Sequence, residues 1–580
     1  MAYRYIALLH PNNGDHAHSP DDAARQLQSS GMQHHLPAAG CTLHVCATTP
    51  VIPLAGQGLI LGHVFSRDGM PITHAAQLPT ALSHAGLRRY ILQNCWGAYL
   101  IVQPDPAHAG GITFQRDPEG GMPCIHHIDG GRGFIASDVA LPEQLGCHRR
   151  RVDWDAVRHR LLYPDIKSAR TALAGIQELL PGTRLVVQGG RTTVHAAWSP
   201  WDVVTHEPPY ASADEAAEAV RGAVSMATRA WAGIDRSILL ELSGGLDSSV
   251  VGIGLKDSGA EVACCTLVTP VPGADERRYA RQVAALIGAP MDADVMGLES
   301  LRHDFDVDPW TSTPRVGMLQ HATDTIMEQA RRRHGAASFF SGGGGDTVFC
   351  YLTSAAPAAD AFLQKGAAQA LRAIHDLAGL HQCTVWKAAR LALRKLTRSP
   401  GPTCNATDAF LSPALAPCAP DPHPWLDMPR GALPGERERI FALAATQIYR
   451  ESAPRGAHAH LRLPLLSQPV MEATLRVPSW MWIAGAQNRS IVRQAYADTL
   501  PQAILARRSK GSFSAYIGAL HARHAPRLHA YLRDGALHAQ GIVDGPSLDR
   551  FFALGPGPRD RTIGRILDLC AVENWVRQQS

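Results

Sequence analysis

The sequence is short of several things, and each shortage closes off a class of protein. Only 18% of its 580 residues are charged, and 55 Lys and Arg against 51 Asp and Glu leave a net charge of +4. So close a balance gives no electrostatic footprint for nucleic acid or for a membrane surface. The 12 cysteines run from Cys41 to Cys570 without a C-x-x-C pair, which reads as reduced, mostly buried thiols. The 28 histidines are scattered, with no zinc-ligand spacing. No apolar run approaches the ~20 residues of a membrane span. The opening run MAYRYIALLHPNNGDHAHS is too briefly apolar for a signal peptide. The expectation is a cytoplasmic protein with no nucleic-acid and no membrane partner. With 45% hydrophobic residues, the chain has ample material for the cores of roughly two to four domains.

What is present changes texture along the chain. Up to about residue 200, short apolar runs such as 58–62, 98–102 and 183–187 are bounded by Gly, Pro, Asp and Asn, the pattern of strands. One helix is predicted over Asp153–Leu162. Beyond Trp198-Ser-Pro-Trp-Asp202 and His206-Glu-Pro-Pro209, an Ala-rich helical stretch at 211–232 opens a second region. There, short apolar strands (237–242, 262–268, 336–340) alternate with helical stretches (276–286, 323–333), which argues for a parallel sheet with helices on both faces. Residues 355–437 read as less regular, with a basic helix-like stretch at Trp386–Arg398 and a Pro-rich loop over Ser399–Gly435. Helical patterning returns from about Arg437.

Two glycine-rich segments carry the chemistry. Ser243-Gly-Gly-Leu-Asp-Ser-Ser249 follows one predicted strand and precedes a helix. A turn of this kind points backbone N–H groups, and the positive end of a helix, at one spot where phosphate binds. Gly244 and Gly245 permit close approach, and the hydroxyls of Ser243, Ser248 and Ser249 are donors. Asp247 beside phosphates calls for an intervening Mg²⁺. The Gly-Lys-Ser/Thr ending of a Walker loop is missing. Ser341-Gly-Gly-Gly-Gly-Asp-Thr347 repeats the theme after another strand, with Gly342, Gly343 and Gly344 as the cradle and Asp346 facing Asp247 across one metal.

The first segment resembles the pyrophosphate loop of N-type ATP pyrophosphatases, and the two segments in this order resemble the asparagine synthetase superfamily. Ser490-Ile-Val-Arg-Gln-Ala-Tyr, Leu500-Pro-Gln-Ala-Ile-Leu and Lys510-Gly-Ser-Phe-Ser514 are similar to that family's closing region. The resemblance gives Lys510 a role on the ATP phosphates and in stabilising transition-state charge. It places Leu242 and Leu267 against adenine, although both read equally well as core. Arg116-Asp-Pro-Glu-Gly-Gly-Met-Pro-Cys124, Phe134-Ile-Ala-Ser-Asp138 and Glu178-Leu-Leu-Pro-Gly182 are similar to the family's glutaminase domain. That domain needs a nucleophilic cysteine at position two, where this sequence has Ala2. The implied fold is α/β: residues 1–207 form a degenerate N-terminal-nucleophile hydrolase domain of αββα layers, and residues 208–580 a parallel-sheet ATP pyrophosphatase domain.

Without a glutaminase, the acceptor amine must come from elsewhere. The β-lactam synthetase branch looks to use a tyrosine and a glutamate to deprotonate its amine, and this chain has Gly343 and His460 at those places. Ser341–Thr347 with Val348-Phe349, and Leu465-Leu-Ser-Gln-Pro469, are similar to lasso peptide macrolactam synthetases (lasso cyclases). That resemblance implies a core-peptide substrate, ATP and Mg²⁺ as cofactors, and a leader peptidase and a leader-binding protein as partners. His460 is the candidate base, since histidine suits proton transfer near neutrality. Asparagine synthetase fed by ammonia, a β-lactam-like small-molecule cyclase and a non-catalytic peptide-binding scaffold stay open. ATP–pyrophosphate exchange and product analysis separate them.

Overall fold

The computed structural model describes residues 3–10, 25–27, 29–105, 111–271, 273, 275–351, 353–398, 404–415, 418–450, 455, 459–508, 511, 513–555 and 562–579. Its first third is built on alternation. In the strand Tyr5–Leu9 all five side chains are buried. Ile6 and Leu8 enter one core while Tyr5, Ala7 and Leu9 enter another, as a pleated strand between two layers requires. That strand is central in a six-stranded antiparallel sheet whose neighbours run Gln177–Glu178, Ile125–Asp129, Arg132–Ala136, Tyr5–Leu9, Cys41–Cys46, Met32–Ala38. A second such sheet runs Arg191–Ala196, Thr183–Gln188, Ile112–Arg116, Tyr99–Pro104, Leu59–Gly62, Val51–Pro53.

The cores show how these layers stack. Leu43 and Val45 of the first sheet share a core with Leu100, Val102 and Phe114 of the second. On its outer face the second sheet packs Ile60, Tyr99 and Ile101 on Leu87 and Ile91 of the helix His84–Asn94. The first sheet packs Ile6, Leu8 and Phe134 on Val157 and Leu161 of the helix Trp154–Leu162, whose start is capped by the Asp153 carboxylate. The order is αββα, as the glutaminase resemblance implied. Ile566 and Leu569 of the helix Thr562–Arg577 enter the same outer core, so the two halves of the chain share buried surface.

The second part holds a five-stranded parallel sheet in the order Met291–Val295, Glu261–Val268, Ser237–Glu241, Ser338–Ser341, His460–Arg462. From Ser237–Glu241 the chain winds outward through the first two strands, then returns to place Ser338–Ser341 on the other side. The two central strands therefore flank a topological switch point, and ligands bind outside the carboxyl ends of strands at such a point. Both glycine-rich segments leave those two ends.

Three features differ from the sequence reading. Residues 355–437 contain the helices Ala356–Lys365 and Ala367–Leu380 ahead of Val385–Thr397, where the helix-like stretch was expected; the first two are Ala-rich, which blurs their apolar stripe. Met291–Val295 is an edge strand whose Asp292 and Asp294 pair with Arg333, so it carries no apolar run. Within Ser399–Gly435, the described residues hold a short 3-10 turn, Pro424–Leu426, and the start of the helix Pro434–Arg450. All twelve cysteines are free thiols, eight of them buried and Cys147 exposed.

Candidate active site

The strand Ser237–Glu241 ends at Leu242, whose N–H donates to the Cys265 carbonyl of the next strand. Leu242 itself is fully buried in the main core, while Leu267 on the neighbouring strand is half-buried. The turn then folds on itself. The Ser248 hydroxyl accepts from the Ser243 N–H at 3.2 Å and lies 3.1 Å from the Ser243 hydroxyl, which accepts from the Gly245 N–H at 3.3 Å. Gly244 has φ +69°, and a Cβ there would meet the Ala280 nitrogen at 2.6 Å; only glycine fits both constraints. Gly245 opens the helix Leu246–Leu255. Ser249 donates its hydroxyl back to the Gly245 carbonyl at 2.7 Å and is wholly buried. Its hydroxyl secures the first helical turn; Ser243 and Ser248 are the hydroxyls at the loop itself.

The second segment sits directly on the first. A Cβ at Gly342 would lie 2.5 Å from the Ser248 nitrogen, and one at Gly345 would lie 2.4 Å from the Asp247 Cβ and Cγ. Glycine here allows two loops from distant parts of the chain to touch. Gly343 faces the Leu463 side chain, 3.1 Å from where its Cβ would be, and Gly344, at φ +86°, lies against Leu466.

The outcome is a pair of carboxylates gathered by one guanidinium. Arg489 Nη1 donates to Asp247 Oδ1 at 2.9 Å and Oδ2 at 3.1 Å, and to Asp346 Oδ1 at 2.9 Å. Asp247 and Arg489 are nearly buried, whereas the Asp346 side chain is 51% exposed. Arg489 itself occupies the left-handed region, φ +55°, a strained position for a side-chain-bearing residue. Its guanidinium lies 5.4 Å from the Tyr351 ring centroid. Nothing in the local sequence marked Arg489, although it immediately precedes the run beginning at Ser490.

Two oxygen-only side chains suit Mg²⁺, which keeps waters and completes its shell with substrate phosphates instead of demanding an all-protein cage. No cluster of three or more His, Cys, Asp or Glu that could hold a metal occurs among the described residues, which excludes a caged site there. Asp247 and Asp346 fit the group implied for them.

Lys510 lies outside the described residues, as does Ala2. On either side of Lys510, Arg507 pairs with Glu276 and reaches the Gly244 carbonyl at 3.5 Å, while the Gly511 N–H donates to Glu276 at 2.7 Å. Glu276 thereby fastens this late segment beside the first loop.

His460 requires a correction. It pairs with Ser338, at the start of its strand and away from the carboxyl end where Asp346 follows. Its ring packs at 4.7 Å on Tyr3 and 6.3 Å from His63. With Tyr3, Glu119, Arg450 and Arg462 it lines a cavity of ≈ 200 Å³ that also reaches Cys124 and Ser137 of the first antiparallel sheet and its approach. Burial, then the Arg462 charge and His63, push its pKa down to about 2. A ring so reluctant to take a proton, facing the other half of the molecule, is not placed to serve as the base.

A model of the asparagine synthase family matches residues 215–577, more than half of the chain. Comparison with curated proteins by sequence gives no match. Solved structures with some likeness include the allosteric regulatory enzyme of purine biosynthesis, at 10% identity and a TM-score of 0.21 over 59% of this chain and 84% of that one. Glutamine phosphoribosylpyrophosphate amidotransferase from B. subtilis, in complex with ADP and GMP, matches at 11% and 0.22 over 58% and 90%. Glutamine-dependent NAD+ synthetase from Acinetobacter baumannii, in complex with ADP, matches at 14% and 0.19 over 36% and 44%. Scores this low carry no argument about chemistry.

Proposed function

Starting from the fact that the chain belongs to the asparagine synthase family, whose reaction is ATP-dependent amide formation, we propose that it is a lasso peptide cyclase. The substrate is a core peptide presenting an Asp or Glu side chain. Its carboxylate oxygen attacks the α-phosphorus of ATP, the bond to the β-phosphate oxygen breaks, and pyrophosphate leaves. The neutral N-terminal amine of the same peptide then attacks the acyl carbon. AMP departs with its bonding electrons, the amine's proton passes to solvent, and an isopeptide ring closes.

The chain's own groups divide the work. The N–H groups and hydroxyls of the turn at Ser243–Ser248 are the cradle for the pyrophosphate. Asp247 and Asp346 would hold Mg²⁺, which when bound supplies charge neutralisation on the phosphates. Lys510 is assigned the developing charge in the transition state. Arg489, which holds the two carboxylates together, is a second cation available to phosphate.

The observation that carries the reading is the convergence of Asp247 and Asp346 at the switch point, combined with the want of a base at Gly343 and His460, the two described positions considered for one. Gly343 stands where a β-lactam synthetase would bear tyrosine, and Leu463 crowds any side chain there. His460 faces away. A peptide N-terminus has a pKa of ~7.7–8.0 and is partly neutral near pH 7, so it needs little help. A leader peptidase and a leader-binding protein would supply the trimmed peptide.

The test is incubation with ATP, Mg²⁺ and candidate linear core peptides, followed by mass spectrometry. Loss of one water that yields AMP and vanishes in Asp247→Ala and Lys510→Ala supports the reading. AMP release driven by aspartate and ammonia, with no dehydrated peptide, replaces it with a small-molecule synthetase.

A further inference from the structure

The net charge of +4 conceals a concentration. Residues 365–398 contain Lys365, Arg372, Lys387, Arg390, Arg394, Lys395 and Arg398 against one acid, Asp376. Seven minus one gives +6 there, which leaves 48 basic and 50 acidic residues, a net −2, for all the rest of the chain. All seven cations are exposed. Asp376 is turned to the Ala486 N–H at 3.3 Å. Lys395 pairs with Glu438 at 2.6 Å. Lys387, Arg390 and Arg394 face no carboxylate among the described residues.

The same stretch gathers exposed apolar side chains. Sixteen large hydrophobics are exposed among the described residues, and seven of them are Phe362, Leu363, Leu371, Val385, Trp386, Leu391 and Leu393. On the helix Val385–Thr397, Ala388 and Ala392 are the buried pair, which turns the opposite side outward. Trp386 (84% exposed) and Leu393 (57%) stand there two turns apart, with Arg390, Arg394 and Lys387 beside them. This helix packs on Ala356–Lys365 and Ala367–Leu380, whose own exposed Phe362, Leu363, Leu371, Lys365 and Arg372 carry the same mixture.

We propose that this three-helix unit is a docking surface for an anionic bilayer, with the helix Val385–Thr397 lying in the plane of the interface. Cations beside an exposed tryptophan and leucine are the composition of interfacial helices, and contiguous exposed apolar surface marks an interaction site. The exposed cations and apolar side chains come from three packed helices, and their mixture of charge with tryptophan and leucine suits a lipid surface better than a single acidic peptide. No helix among the described residues is long and apolar enough to cross a membrane, so the contact is peripheral. It is independent of the adenylation chemistry, because none of these residues touches the carboxylate pair.

The experiment is sedimentation of the full-length protein with phosphatidylcholine vesicles, with and without about one third phosphatidylglycerol. The expected result is binding to the anionic vesicles alone, weakened by raised salt. Each cation near such a surface contributes about a fivefold factor, so Arg390→Gln/Arg394→Gln weakens binding about 25-fold. Trp386→Ser weakens it too, while Arg191→Gln, an exposed cation on the edge strand of the second antiparallel sheet, leaves it unchanged. Equal melting temperatures of the variants keep these comparisons free of unfolding. Failure to sediment with anionic vesicles overturns the proposal, as does binding indifferent to the Arg390/Arg394 pair. Capture of soluble polyglutamate by these residues without vesicle binding also overturns it, and puts an acidic polypeptide in the bilayer's place.

Discussion

Two clusters of opposite charge lie in this molecule, one around Glu178 of the antiparallel part and one at the parallel sheet, and they are built to opposite ends. In the first, Glu178 accepts from Arg116 at 2.8 Å, Lys167 at 2.6 Å and Arg315 at 3.3 Å, and its side chain is 4% exposed. Arg116 belongs to one antiparallel sheet and Glu178 to the other, so the pair ties the layers together. In the second, one guanidinium is shared by two carboxylates, and Asp346 stands half in solvent. In the first, the carboxylate and its three cations are all nearly buried. In the second, the Asp346 carboxylate opens to solvent at the ends of parallel strands. Ion pairing alone does not tell a ligand site from a structural staple; exposure and place in the sheet do.

The sharpest break of this comparison comes from removing one charge on each side. Asp247→Asn is expected to lower ATP–pyrophosphate exchange by about 10²–10³-fold, while thermal stability stays near that of wild type. An unchanged exchange rate would show that the open cluster is a staple too. Glu178→Gln is expected to do the reverse. It removes the carboxylate that three buried cations share, a loss of about 3–5 kcal/mol by denaturant titration, with exchange per folded molecule unaltered. If Glu178→Gln folds normally but loses exchange, the antiparallel half takes a direct part in the reaction.

How far these clusters could be read from sequence follows from how local their signals are. Ser243–Ser249 and Ser341–Thr347 were legible because each packs a strand end, close-approach glycines and a carboxylate into seven residues. Their mutual contact was legible only through the switch-point argument. Arg489 was invisible: it lies 242 residues from Asp247 and 143 from Asp346, and a lone arginine has no spacing to betray it. Arg116 and Glu178 lie within segments similar to a glutaminase, and their buried pairing is a structural role that needs no catalytic thiol. The helices at 356–380 escaped because alanine marks neither face strongly. The local charge surplus at 365–398 escaped because a whole-chain sum averages it away.

Arg489 allows a finer test of the open cluster. The guanidinium sits where the two carboxylates converge, so a metal ion arriving without nucleotide must displace it. Arg489→Met removes that competitor and leaves both carboxylates in place. Nucleotide-free Mn²⁺, followed by water-proton relaxation, is expected to bind about tenfold more tightly to the variant than to wild type. Equal affinities would mean that the guanidinium moves aside at no cost and is not a stand-in for the metal.

The smallest effect concerns His460, which the comparison assigns to the closed side of the molecule. Folded, its pKa is held at about 2 by burial and by Arg462; unfolded, it returns to ~6.5. Below pH 6.5 the unfolded chain therefore takes up a proton that the folded chain refuses. The stability contributed by the neutral ring is complete above pH 6.5 and is lost as pH falls toward the folded value, by up to ~1.4 kcal/mol per unit. His460→Gln removes this one contribution. Between pH 7 and pH 5 the variant should lose about 2 kcal/mol less than wild type in denaturant titrations, and its ring-closing activity near pH 7.5 should stay within about threefold. A fall in activity of two orders of magnitude or more, with stability unchanged, would restore the histidine as a proton carrier and force the cavity beside Tyr3 into the reaction path.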